Sequence, residues 1–206
     1  MTKEAFLIFD LETSGLFKPA LPAHDKEQAW PVQFGALFTD KDLNPTREFS
    51  FLLQPPFEGC TIEQEAFETH HIPLERCIKD GVPIGSLYTL MKPVFYDGVR
   101  LVGHNLGFDT KFIRRLPKNN KEMAALEIAI KNGICTMRST TTFCELPPTE
   151  AMLKRFKKAS FKSPKLEELH MKLFGATFTD AHNAITDVRI THKCLVECVK
   201  RGIIKL

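Results

Sequence analysis

Two carboxylates stand two residues apart at the end of an apolar stretch. Asp10 and Glu12 follow the run at residues 5–9, which predicts a strand buried on both faces. Side chains two apart on a strand project from the same face, about 6.5–7 Å apart, so these like charges repel unless a cation lies between them. Hard oxygen ligands at this spacing suit Mg²⁺ or Mn²⁺. Because Asp, Thr, Ser and Gly also favour turns, a solvated turn after the strand is the alternative.

Two further acids, Asp109 and Asp187, lie on the apolar stripes of predicted helices. The apolar residues that share the face of Asp109 are Phe112, Ile113 and Leu116. Those that share the face of Asp187 are Ile190, Thr191, Cys194 and Cys198. A carboxylate on a core-facing stripe is costly unless it is paired or bound to metal. For Asp109, the alternative is a first-turn acid that the helix dipole stabilises, with Asn105 as a simple N-cap.

A histidine, His182, precedes the last of these acids by five residues, in a loop that can aim its ring freely. A lone histidine is more often structural or solvated, but near metal ions its tunable pKa makes it a good general base for water. Three separate elements thus direct four carboxylates toward the interior or the end of one sheet. Four clustered acids would raise their pKa values and destabilise the fold unless divalent cations neutralise them.

Hydrophobic patterning predicts the elements that position these side chains. Strands are predicted at residues 5–10, 32–39, 47–53, 100–103 and 134–137. Helices are predicted at residues 61–70, 84–96, 108–116, 121–131, 165–174 and 184–201. The first three strands read as an antiparallel meander, and strand–helix alternation follows. This order predicts an α/β fold with a mixed sheet flanked by helices, as a single domain over residues 1–206.

Composition limits the class of protein. The chain has 206 residues, of which 43% are hydrophobic and 26% charged, as in ordinary globular proteins. No run approaches the ~20 apolar residues of a membrane span, and the first apolar run is too short for a signal peptide. We therefore expect a cytoplasmic protein with no membrane partner. The six cysteines are scattered without a CxxC pair, which predicts free thiols; a zinc site at Cys194 and Cys198 is the disfavoured alternative to burial as small apolar residues.

A basic segment lies between Leu153 and Leu166. It contains six Lys and Arg residues and no acid, with Phe156 and Phe161 interleaved. This composition suits a segment that contacts phosphates and stacks bases. A solvated helix face followed by a loop explains the same residues equally well.

Three motifs carry a family resemblance. The sequences FDLETSGL, HNLGFD and HNAITD resemble, in order, the three exonuclease motifs of the DEDDh 3′→5′ exonuclease family. That family includes the proofreading subunit of bacterial DNA polymerase III and ribonuclease T. The resemblance runs from Phe9 to Asp187. Residues 69–72 lie where members often show an HGI-like segment, and residues 165–169 are similar to the short helix before the third motif.

The resemblance implies a ribonuclease-H-like fold and a two-metal mechanism with Mg²⁺ or Mn²⁺. The residues that match metal ligands are Asp10, Glu12, Asp109 and Asp187. His182 matches the general base. The residues that match positions holding the 3′-terminal nucleotide are Thr13, Ser14, Gly15 and Leu16. The second-motif residues that match the lining of the substrate site are Asn105 and Phe108.

The implied activity is release of nucleoside 5′-monophosphates, one at a time, from the 3′ end of a single strand. DNA is favoured over RNA as the expected substrate, and a polymerase or DNA-repair complex is the expected partner. A non-catalytic or polymerase-associated nucleic-acid-binding module is the alternative. The segments at residues 16–30, which include His24 and Trp30, and at residues 140–161 look longer than in the family, which leaves DNA versus RNA open.

Overall fold

Five strands form one mixed sheet in the computed structural model, which describes residues 3–22, 25–155 and 161–206. The strands are β1 (Phe6–Thr13), β2 (Pro31–Thr39), β3 (Pro45–Leu52), β4 (Arg100–Gly103) and β5 (Ile134–Cys135). Their order across the sheet is β3-β2-β1-β4-β5. The first three strands form the antiparallel meander, and β4 and β5 continue the sheet in parallel. The predicted fold class is confirmed.

The central strand β1 runs three residues further than the sequence predicted. Its pairing with β2 continues beyond the apolar run, so that Glu12 lies opposite Gln33. On its other side, β4 pairs with β1 only from Phe6 to Ile8. The second half of β1 is therefore held by β2 on one flank, while its other flank is left for side chains from elsewhere. The alternative of a solvated turn at Asp10 and Glu12 is wrong.

Ten helices lie in the described residues. They are α1 (Gln64–His70), α2 (Leu74–Asp80), α3 (Ser86–Tyr96), α4 (Leu106–Ile113), α5 (Asn120–Lys131), α6 (Thr136–Ser139), α7 (Thr141–Cys144), α8 (Glu150–Arg155), α9 (Leu166–Phe174) and α10 (Ala184–Lys200). Within residues 3–22, 25–155 and 161–206, no helix combines the length and apolar character that a membrane crossing requires.

Helices cover both faces of the sheet. Leu7 and Phe9 belong to a core cluster with residues of α3, α4 and α5. Phe6 and Ile8 belong to a second cluster with residues of α9 and α10. Because side chains alternate along a strand, Asp10 and Glu12 continue the series of Phe6 and Ile8 and face α10.

The differences from the predicted elements have local causes. Helices α3, α5, α9 and α10 lie within two residues of their predicted bounds. Helix α2 was missed because Cys77 is its one buried residue, so it has no apolar stripe to detect. The strand predicted at residues 134–137 ends at Cys135, where the chain enters α6.

The cysteines are free and buried, as predicted. Cys194 and Cys198 are fully buried within α10. Burial raises the pKa of these thiols to about 12 and about 11, respectively. A protonated buried thiol is a poor metal ligand, so both residues serve as small apolar core residues rather than as a zinc site.

Candidate active site

Asp109 approaches β1 from the end of β4. After β4 ends at Gly103, Asn105 adopts a left-handed conformation with φ of 68° and turns the chain into α4. Asn105 is the N-cap residue of α4, as the alternative had it, but its side chain makes no capping hydrogen bond. Asp109 lies in the first turn of α4 and is only 3% exposed, and the backbone of Leu11 in β1 partly offsets the rise in the pKa of its carboxylate. The open flank of β1 is therefore occupied by this carboxylate.

The start of α10 packs directly on the backbone of β2, which brings Asp187 to β1. A Cβ atom added at Gly35 would lie 2.5 Å from the carbonyl oxygen of Ala184, so only glycine permits this approach. The side chain of Gln33 accepts a hydrogen bond from the backbone N–H of Ala184 at 3.0 Å. This bond satisfies one of the N–H groups that the first turn of a helix leaves unpaired. Gly35 and Gln33 lie opposite Asp10 and Glu12 on β1.

The four carboxylates all have pKa values above their usual range, and burial is the largest cause for each. The pKa of Glu12 rises to about 7 and that of Asp187 to about 6. The pKa values of Asp10 and Asp109 rise well above normal; for Asp10, repulsion from the other three acids adds to burial. None of the ion pairs among the described residues involves these four acids. The charge of His182 lowers the pKa of Asp187, but by less than burial raises it.

The donor set fits divalent cations. Asp10, Glu12 and Asp187 each offer an oxygen, and these oxygens all lie within 4.8 Å of one another. Asp109 is outside that group of three, although its charge acts on Asp10. The Oδ1 atom of Asp187 is buried and has no hydrogen-bond partner. A buried acceptor normally has a partner, and a hard divalent cation would supply one.

His182 reaches the carboxylates from the loop before α10. Its backbone is left-handed, with φ of 64°, and Asp180 is also left-handed, with φ of 58°. The backbone N–H of His182 donates to Oδ2 of Asp187 at 3.2 Å. The imidazole is exposed. Since a non-glycine residue occupies this conformation only at a cost, the bond to Asp187 helps to hold the loop in place.

An open cavity of about 390 Å³ lies over the acids, and all five predicted catalytic residues line it. We call it the carboxylate cavity; the predicted second-motif residues Asn105 and Phe108 also line it. A smaller cavity of about 270 Å³, the adjoining cavity, is lined by Thr13, Gly15 and Leu16. The residues that line both cavities are Leu11, Glu12 and Phe108. Leu16 is 71% exposed, so an apolar side chain stands at the rim of the adjoining cavity.

Ser14 is the substrate-binding candidate that lines neither of these cavities. Its hydroxyl accepts a hydrogen bond from the backbone N–H of Trp30 at 3.0 Å, and its own N–H donates to the Trp30 carbonyl at 2.9 Å. Its carbonyl accepts from the N–H of Glu63 at 2.8 Å. These bonds hold the end of β1 against the start of α1. The structure thus gives Ser14 a supporting position beneath Gly15 and Leu16.

Three residues that the sequence reasoning did not single out also line the carboxylate cavity: His104, Glu167 and Phe178. Nε2 of His104 lies 3.0 Å from the Pro164 carbonyl, so it carries the proton, and Nδ1 lies 2.9 Å from the Thr136 hydroxyl. Burial lowers the pKa of His104 to about 4, so the ring is neutral. The position of His104 at the start of HNLGFD was the available signal. Glu167 lies in residues 165–169, which are similar to the family's short helix before the third motif, whereas Phe178 carried no comparable pattern.

The segment at residues 16–30 enters the core at its last residue, Trp30. Trp30 is 2% exposed and donates from Nε1 to the Thr61 carbonyl at 3.2 Å. The side chain of Gln28 bonds in both directions with the backbone of Lys18. His24 lies outside the described residues. The described residues of this segment, 16–22 and 25–30, form neither a helix nor a strand.

The basic segment contributes to the site at one end. Phe156, Lys157 and Lys158 lie outside the described residues. Lys165 lines the carboxylate cavity. Lys162 forms an ion pair with Glu168 at 2.6 Å. That this segment contacts phosphate remains a prediction, and Lys165 is the residue placed to make the contact.

Comparison with known families gives one match that spans most of the chain. A family model described as exonuclease, RNase T, matches residues 7–195. This interval contains all three motifs, which confirms the family resemblance. No curated protein sequence matches the chain significantly.

Solved structures share the fold at low sequence identity. Exonuclease I of E. coli in complex with a dT13 oligonucleotide matches with a TM-score of 0.71 and 21% identity, over 97% of this chain and 42% of that chain. The zinc-bound exonuclease I–ssDNA complex of E. coli matches with a TM-score of 0.66 and 20% identity, over 98% of this chain and 41% of that chain. A 3′-exonuclease that recognises a histone mRNA stem-loop matches with a TM-score of 0.63 and 12% identity, over 98% and 84%. The chain spans about two fifths of the length of the exonuclease I chains.

Proposed function

This chain belongs to the exonuclease family, and we propose that it is a metal-dependent 3′→5′ exonuclease of single-stranded nucleic acid. One observation carries the proposal: Asp10, Glu12, Asp109, Asp187 and His182 come from three separate elements and line a single cavity. The raised pKa values of the four acids and the unpartnered Oδ1 of Asp187 support two divalent cations, Mg²⁺ or Mn²⁺, as cofactors.

Divalent cations bound by Asp10, Glu12, Asp109 and Asp187 would supply a lower pKa for bound water and stabilisation of the charge on the phosphate. His182 accepts the proton of the attacking water. The water oxygen forms a bond to phosphorus as the bond to the 3′-oxygen breaks, and the departing 3′-oxygen takes a proton from solvent. The products are a released nucleotide with a 5′-phosphate and a strand that ends in a 3′-hydroxyl. The hydrogen bond from the backbone N–H of His182 to Asp187 keeps this histidine beside the acids.

The terminal nucleotide is assigned to the adjoining cavity. Thr13, Gly15 and Leu16 line it, and Phe108 separates it from the carboxylate cavity. Exposed Leu16 and half-buried Phe108 offer apolar surfaces for the terminal base. A base pair at the 3′ end would block this placement, which supports a preference for single strands or frayed ends.

We propose DNA as the preferred substrate. In the comparisons, the exonuclease I structures with DNA have higher identity and TM-scores than the RNA-recognising 3′-exonuclease. A single domain over residues 1–206, a cytoplasmic location and a polymerase or DNA-repair partner remain proposals that stand on the sequence.

The test is a digestion of matched 5′-labelled DNA and RNA strands, single- and double-stranded, with Mg²⁺ or Mn²⁺. The expected result is a ladder shortened from the 3′ end, with nucleoside 5′-monophosphates as products and single-stranded DNA cut fastest. Asp10→Asn is the matched inactive control. Intact strands under every condition, with binding that a chelator does not change, would instead support the non-catalytic binding module.

A further inference from the structure

A third cavity, of about 420 Å³, lies between α3 and the end of α4, and we call it the α3–α4 cavity. Its walls are mainly apolar and aromatic, and include Trp30, Tyr88 and Phe112. Two exposed cations, Arg115 and Lys118, also line it, and none of the described residues in its lining is acidic. Cavities of this size with apolar walls and a few convergent polar groups are typical ligand sites. The positive charge of the α3–α4 cavity favours, as its ligand, an anion that carries an apolar or aromatic part.

An aromatic series joins this cavity to the active site. Phe108, which lines the carboxylate cavity, meets Phe112 edge-on with ring centroids 5.5 Å apart. Phe112 lines the α3–α4 cavity and meets Phe17 edge-on at 5.6 Å. A series of contacting rings therefore links the two cavities, with half-buried Phe108 and Phe17 on either side of the buried ring of Phe112.

Exposed cations accompany this series along α4 and the chain that follows it. Lys111 lies 5.6 Å from the Phe108 ring centroid and 5.9 Å from that of Phe17. Arg115 lies 5.2 Å from the Phe17 centroid, and Lys118 lies 4.0 Å from that of Tyr88. Lys111, Arg115 and Lys118 thus follow one another beside aromatic rings on one side of the chain.

Cations beside aromatic platforms are the recurring surface that binds single-stranded nucleic acid, because the cations contact phosphates and the rings stack on bases. We infer that Lys111, Arg115, Lys118 and the α3–α4 cavity form a second nucleic-acid contact. This contact binds an unpaired segment of DNA at a distance from the catalytic acids. This inference rests on the proposed function for the identity of the ligand. An acidic, aromatic protein segment is the competing ligand, but continuity with the active site through Phe108 favours the nucleic acid.

The test compares two charge-matched triple variants. Lys111→Ala/Arg115→Ala/Lys118→Ala removes the proposed contact. Lys79→Ala/Lys131→Ala/Lys200→Ala removes the same charge from exposed lysines in the last turns of α2, α5 and α10. Affinity for fluorescein-labelled dT15 is measured by anisotropy in chelator, over a range of salt concentrations. Melting temperatures check that both variants fold.

Each lost phosphate contact on a single strand weakens binding by about fivefold at 0.1 M salt. It also lowers the slope of the logarithm of the binding constant against the logarithm of the salt concentration by about 0.7. The first triple should therefore bind dT15 up to about 100-fold more weakly, with a slope smaller by about 2. Hydrolysis by this variant should show a raised KM for dT15 with kcat unchanged. The control triple should bind within about threefold of the wild type.

Trp30 gives an independent readout, because it is the only tryptophan in the chain and lines the α3–α4 cavity. Saturating dT15 should quench its fluorescence, a thymidine dinucleotide should not, and the first triple should lose the quenching. Equal affinities and slopes for the two triples, or unchanged Trp30 emission at saturating dT15, would overturn the inference. Wild-type protein that binds and quenches but hydrolyses nothing would contradict the proposed function alone.

Discussion

Gly35→Ala tests how closely α10 must approach the sheet. The new Cβ would lie 2.5 Å from the Ala184 carbonyl oxygen and 2.7 Å from the Ile185 nitrogen. Ordinary contact begins near 3.4 Å, so the start of α10 must move by about 1 Å. Overpacking of this kind costs about 1–3 kcal/mol. A displacement of about 1 Å in an active site lowers activity by about 10²-fold, because Asp187 moves with the helix.

The matched control is Gly85→Ala, since a Cβ there meets nothing within 4 Å and the residue has ordinary right-handed backbone angles. Chemical denaturation, Mn²⁺ titration and hydrolysis of a labelled strand are measured on both variants. The expected result is lower stability, weaker Mn²⁺ binding and lower kcat for Gly35→Ala only. Equal behaviour of the two variants would refute the reasoning that backbone contact with β2 positions Asp187.

Three further predictions follow from the acids and the histidine. Because their carboxyl pKa values are raised, the acids of the folded, metal-free protein bind more protons than those of the unfolded chain. The free energy of unfolding should therefore fall from pH 4 to 7, by up to about 3 kcal/mol from Glu12 alone. Saturating Mg²⁺ should remove this pH dependence, and a pH-independent melting temperature in chelator would contradict it. Asp10→Asn should abolish hydrolysis and raise the melting temperature in chelator, because it removes one like charge; a drop of many degrees would argue against charge repulsion. His182→Ala should lower kcat by about 10²–10⁴ while Mn²⁺ affinity is retained; an unchanged kcat would remove His182 as the base.

Sequence patterns predicted most of the fold because the apolar periodicity here matches burial. The run before Asp10 is the central strand, and the stripe that contains Asp187 faces the second core cluster. The end of β1 was missed because residues 11–13 are held by cross-strand pairing with β2, which local propensity does not encode. The left-handed conformation of Asn105 is likewise imposed by the tight turn from β4 into α4.

The candidate site was predictable as a set of residues, but not as an arrangement. Each acid could be recognised from its unusual position on an apolar element. Nothing in the local sequence indicated that Gly35 and Gln33 of β2 set the position of α10, because both act through contacts about 150 residues away in the chain. Ser14 matched a motif, yet its bonds to Trp30 turn it inward; motif matching places a residue in sequence, whereas hydrogen bonds decide which way it faces.

The most direct test of the central claim is an anomalous diffraction map of crystals soaked in Mn²⁺. We expect two manganese peaks about 3.5–4 Å apart, bound by Asp10, Glu12, Asp109 and Asp187 within reach of His182. Manganese bound elsewhere on the protein, with no peak among these four carboxylates at saturating concentration, would contradict it.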